Sequence, residues 1–153
     1  MAPHPIRLHG PWYLSSLDSV NDSLCQDATT ELPLQSMGRY RFDQPLESIG
    51  EVTDSCRHWL LVRPFREPTG LTKTSRIAMS ILAHDHVEQM WLNGRRLPTT
   101  PAHDATLSLD FPLSPQNRLG VVLRYSPNSS KPAFRSVRLL IHDTATPPTG
   151  LIA

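Results

Sequence analysis

The feature that most constrains this chain is a hydrophobic period of two running through its second half. In "SRIAMSIL", Ile77, Met79 and Ile81 share a face. In "ATLSLDF", Leu107, Leu109 and Phe111 alternate with Thr106, Ser108 and Asp110. "NRLGVVLRY" puts Leu119, Val121, Leu123 and Tyr125 on one side, with Arg118 and Arg124 on the other, and "SVRLLIH" repeats the pattern with Val137, Leu139 and Ile141. Alternation of this kind marks strands with one face in a core and one in water. Several such segments separated by short turn-rich breaks predict an antiparallel all-β domain.

Proline supports that reading. Fifteen of 153 residues are proline, about twice the usual ~5% share, and proline is hostile to long helices. The length fits one domain, predicted as a β-sandwich over residues 1–143 with a C-terminal tail at 144–153. About eight strands are expected, closed into a two-sheet antiparallel sandwich. "GRYRF" reads as a strand with Tyr40 and Phe42 on one side, and "HWLLVRPFREP" as a strand whose Pro64 marks an edge or a bulge. Residues 15–37 are rich in Ser, Asp and Thr and read as a long loop with one helical turn. "PLESIGEV" suits a short helix starting at Pro45.

Charge and targeting signals narrow the partners. Fifteen basic residues face fourteen acidic ones, so the chain lacks the basic footprint that drives nucleic-acid binding. No apolar run has the length of a membrane span, and the N-terminus lacks a signal-peptide core, so a cytoplasmic location is expected. Cys25 and Cys56 stand in no metal-ligand spacing; a disulfide is one reading, and two free thiols in a reducing compartment is the favoured one.

The stretch "VEQMWLNGRRLP" is a strand, a two-residue turn and a second strand. Asn93-Gly94 is the strongest short hairpin signal, since both central residues of a type I′ turn need positive φ. The order "WLNG" with Leu97, then Leu107, Leu109 and Asp110, then Leu113, then Asn117, Leu119, Val121 and Leu123, resembles the galactose-binding-like jelly rolls. The sugar-binding domains of family 2 glycoside hydrolases are the familiar example. Upstream, "LLVRPFREPTGLTKTSRIAMSI" resembles the segment in which a strand ends in Arg-x-Phe-x-x-Pro, and the opening "HGPW" resembles the start of stand-alone bacterial proteins carrying such a domain. The resemblance spans about residues 57–125 and implies the jelly-roll fold. It brings no activity with it. The chain departs from the hydrolase pattern after the Asn-Gly turn, where "PTTPAHDAT" replaces a glycine-rich aromatic loop, and it has no room for a catalytic barrel with its two carboxylates.

Candidate sites are sparse. No serine sits in a G-x-S-x-G elbow, no Cys-His signature surrounds either cysteine, and no glycine-rich phosphate loop is present. The chain is therefore expected not to be an enzyme and to carry no cofactor. His84-Asp85-His86 reads as a solvated loop between two strands rather than a metal centre, and His103-Asp104 falls in the next loop. Trp12 and Trp59 read as core. Trp91 either fills the core or offers a stacking face for a sugar ring. Arg118, Arg124, Arg135 and Arg138 form a basic stripe only if the last two strands pair. The expected role is a non-catalytic binding or scaffolding domain. Its partner is read first as a protein and alternatively as a carbohydrate, with Trp91, His103 and Asp104 as the candidate ligand residues. A small enzyme of unrecognised type ranks below both.

Overall fold

The computed structural model describes residues 4–17, 19–42, 58–99, 102–124 and 132–143. The helix expected from Pro45, Cys56 and the tail at 144–153 lie outside the described residues. The described residues form nine strands, one α-helix and one 3₁₀ turn in chain order. They are β1 (His4–Arg7), β2 (Trp12–Leu17), α1 (Asp22–Ala28), the 3₁₀ turn Leu34–Ser36, β3 (Gly38–Tyr40), β4 (His58–Arg66), β5 (Ser75–Leu92), β6 (Arg95–Leu97), β7 (Ala102–Ser108), β8 (Gln116–Arg124) and β9 (Phe134–Asp143).

All strand pairs are antiparallel and join into one curled sheet of order β1-β9-β5-β8-β4-β2-β3, with β6 and β7 also on β5. The eighteen-residue β5 makes the curl. Its first part, Ser75 to Ala83, lies between β9 and β7, and its last part, Val87 to Leu92, lies beside β8. The strand therefore leaves one arm of the sheet and enters the other. Sequence reading places a loop at His84–His86; the structure instead carries the strand straight through, because each half finds its own partners.

The inner faces of both arms share one core. Met79 and Ile81 of β5, with Val137 and Leu139 of β9, pack in the same cluster as Trp12, Leu14, Trp59, Leu61, Leu119, Val121 and Leu123. Those from β5, β8 and β9 are the alternating residues of the sequence pattern, and each fully buried aliphatic side chain contributes about 1.5–3 kcal/mol. The rings of Trp12 and Phe134 pack 4.7 Å apart between centres, tilted by 37°, and the Tyr40 hydroxyl accepts the Ala133 N–H at 2.7 Å.

The outer face of the β2-β4-β8 arm departs from the expectation of a wet surface. Leu17, Leu60, Val62, Trp91 and Val122 form a second core under Cys25 and Ala28 of α1. Residues 15–37 thus hold a full helix rather than a loop with one turn. Asn21 caps it, its side-chain oxygen accepting the Leu24 N–H at 3.1 Å. Gly120 lets the helix approach, since a Cβ there would sit 2.6 Å from Thr29 Cγ2.

Candidate functional site

The Asn-Gly hairpin forms as the sequence predicts, with Asn93 at φ 52° and Gly94 at φ 80°. Its side chains are structural. Asn93 Oδ1 accepts the Arg118 N–H at 2.9 Å, and its Nδ2 donates to Asn117 Oδ1 at 2.9 Å. Asn117 in turn accepts the Ser114 N–H at 2.9 Å and donates to the Ser114 carbonyl at 2.8 Å. The Gly94 N–H donates to Thr29 Oγ1 at 3.0 Å, so the turn also anchors the end of α1. The two asparagines that carry the motif resemblance hold the turn on β8.

Beside this turn opens a cleft of about 640 Å³. Its cause is legible in β4. That strand pairs with β8 from His58 to Arg66, but its pairing with β2 stops at Val62. Pro64 therefore falls where only one neighbour runs alongside, as a residue without an N–H requires. The open flank is walled by Pro11, by Thr29, Thr30 and Leu34 of the helical segment, and by the end of β8.

Among the described residues this lining carries Arg63, Arg66 and Arg118 and no carboxylate. Arg118 is committed: its Nη1 donates to the carbonyls of Ala28 at 3.2 Å and Leu32 at 2.7 Å, holding the C-terminal end of α1. Arg63 is half-buried, which lowers its guanidinium pKa through desolvation. Its Nη1 donates to the Pro64 carbonyl, and its Nε has no partner among the described residues. Arg66, Ser114 and Gln116 are exposed on the rim, and Phe65 is half-buried on the wall. Three arginines and several hydrogen-bonding groups thus line one concavity, while Phe65, also in the lining, packs against the inner core; polar groups converging on a cleft are a feature of small-ligand sites.

The sequence-predicted residues lie elsewhere. Trp91 is 5% exposed beneath α1, and its indole N–H donates to Gln89 Oε1 at 3.0 Å. Trp12 and Trp59 are buried in the inner core. None of the three tryptophans offers a free face for stacking. His103 and Asp104 are exposed on β7, a strand rather than a loop, and His103 meets His86 of β5 with ring centres 4.3 Å apart. The structure brings those two histidines together and keeps Trp91 apart from them on the helix-covered face. The basic stripe does not form, because β9 pairs with β1 and β5 and not with β8; Arg124 binds Glu88 at 2.7 Å instead. Cys25 is a free thiol, and burial, aided by the Asp22 charge, pushes its pKa up to about 11. Among the described residues no group of three metal-ligating side chains converges, and no helix is long and apolar enough to cross a membrane.

The fold is shared with one part of several glycosidases of known structure. It is similar to part of an uncultured Clostridium β-glucuronidase, at TM-score 0.69 and 17% identity over 94% of this chain. It is also similar to part of the Bifidobacterium dentium β-glucuronidase, at TM-score 0.70 and 14% identity over 93% of the chain. A family 2 glycosyl hydrolase from Bacteroides cellulosilyticus matches at TM-score 0.65 and 13% identity over 91%. The chain spans 30%, 30% and 20% of those proteins, respectively. No protein-family model and no curated protein matches it.

Proposed function

We propose that this chain is a carbohydrate-binding domain of the jelly-roll type, without catalytic machinery of its own, and that the cleft beside the Asn-Gly turn holds the saccharide. The observation that carries this reading is the likeness of more than nine-tenths of the chain to one part of the family 2 glycosidases. The two arms of the curled sheet, facing each other across a shared core, support the jelly-roll reading. The cleft supports the ligand class: Arg63, Arg66 and Gln116 offer donors to the oxygens of a sugar, and Pro11, Leu34 and Pro64 add apolar lining. With cations and no carboxylate in the described lining, an acidic saccharide is held more tightly than a neutral one.

Thermal unfolding against a panel of neutral and acidic sugars tests the reading. A ligand bound only by the folded state at a hundred times its Kd adds about 2.7 kcal/mol, a rise of several degrees. A saturable rise with one sugar class supports the proposal. No rise across the panel refutes it and leaves the protein-interaction reading, which no specific observation favours, as the one to pursue.

A further inference from the structure

The pairing of β5 with β7 is broken at one place. Leu82 pairs with Asp104 and the next pair is Val87 with Ala102. Four residues of β5, Ala83 to His86, therefore lie opposite His103 alone. The cause is the transfer of β5 between arms: Ala83 still pairs with Phe134 of β9 and the His84 N–H donates to the Ala133 carbonyl at 3.1 Å, whereas Val87 already pairs with Leu123 of β8. Bulges of this kind re-aim side chains, and they recur beside functional sites.

What this bulge aims is an imidazole. His86 comes edge-on to His103, with ring centres 4.3 Å apart and planes at 88°. His103 is exposed and His86 half-buried, so the pair is open to solvent on one side and held by the strand on the other. Two imidazoles bound to one late transition-metal ion, with metal–nitrogen bonds of about 2.0 Å, have ring centres about 5 Å apart. The observed separation is within about 1 Å of that, a change the exposed His103 makes by rotating its side chain.

The geometry points to a two-histidine site for a divalent late transition-metal ion, formed by His86 and His103 across the β5–β7 pair, with water completing the coordination. Imidazole nitrogen selects copper, nickel and zinc ions over magnesium or calcium, which want oxygen. A metal bridging the two strands pins the point at which β5 passes from one arm to the other. This site is independent of the saccharide cleft, and its failure would leave the carbohydrate reading intact.

The test uses the untagged chain. Calorimetry with Ni²⁺ is expected to show one site, weakened at least tenfold by His103→Ala and by His86→Ala, with no competition from excess Mg²⁺. Paramagnetic resonance with one equivalent of Cu²⁺ is expected to show coupling to two imidazole nitrogens in the native chain and to one in His103→Ala. Because His103 is exposed, that variant keeps its unfolding midpoint and so reports on binding rather than folding. Equal Ni²⁺ affinity in the native chain and His103→Ala, or an unchanged Cu²⁺ coupling pattern, would overturn the assignment.

Discussion

The docking of α1 on the sheet depends on a hydrogen atom at position 120, and Gly120→Ala measures how strongly. The added Cβ would lie 2.6 Å from Thr29 Cγ2, 3.4 Å from Trp91 Cβ and 3.8 Å from Leu60 Cδ1. The Trp91 and Leu60 contacts are tight to ordinary, but the Thr29 contact forces the end of the helix outward by about 1 Å. Thr29 is 1% exposed and its hydroxyl bonds both the Gly94 N–H and the Cys25 carbonyl, so it has little room to yield. Overpacking of this sort costs about 1–3 kcal/mol, offset by about 0.5–1 kcal/mol from removing a glycine from a strand. The net expectation is a loss of about 1–2 kcal/mol, or roughly 3–6 °C in Tm. Thr29→Ser deletes the clashing methyl and keeps the hydroxyl. In that background Gly120→Ala is expected to be neutral or slightly stabilising. A double-mutant cycle by urea unfolding then gives a coupling of about 1–2 kcal/mol. A coupling within the additivity error of about 0.3–0.5 kcal/mol would refute this packing of α1 over Trp91.

Three further outcomes are expected. Asn117→Ala removes three side-chain hydrogen bonds from a residue that is 3% exposed, and chemical denaturation should show a loss of about 2–3 kcal/mol. Folding raises the Cys25 thiol pKa from 9.0 to about 11, so its contribution is present below pH 9 and is lost as pH rises through 11; the unfolding free energy should fall over that range by up to about 3 kcal/mol and stay flatter in Cys25→Ala. Arg66→Ala should weaken binding of an acidic sugar by about tenfold, the worth of one charge-assisted hydrogen bond, whereas Trp91→Phe should lower stability and leave that affinity unchanged, both read by calorimetry.

Much of the fold is legible in the sequence wherever a strand has one buried face. The inner residues of β5, β8 and β9 are those that alternate, and the Asn-Gly turn announces its own geometry. The helix is less legible because residues 15–37 are dominated by Ser, Asp and Thr; the capping signal of Asn21 before the Leu24–Cys25 pair is the trace it leaves. Period two says only that Trp91 opposes Met90 and Leu92; the burial comes from a helix distant in sequence that covers the face it takes. The cleft is written more faintly. Pro64 signals an interrupted edge, but only the strand order shows that β2 stops there and leaves Arg63, Phe65 and Arg66 beside an opening. His86 and His103 meet through a pairing irregularity that a strand pattern does not encode.

The most direct test of the central claim is a titration of the isotope-labelled chain with an acidic sugar, followed by amide chemical shifts. Saturable changes are expected to cluster at Arg63, Phe65, Arg66, Asn93 and Gln116 around the cleft. Saturable changes confined to another surface, or none at saturating sugar, would contradict the claim.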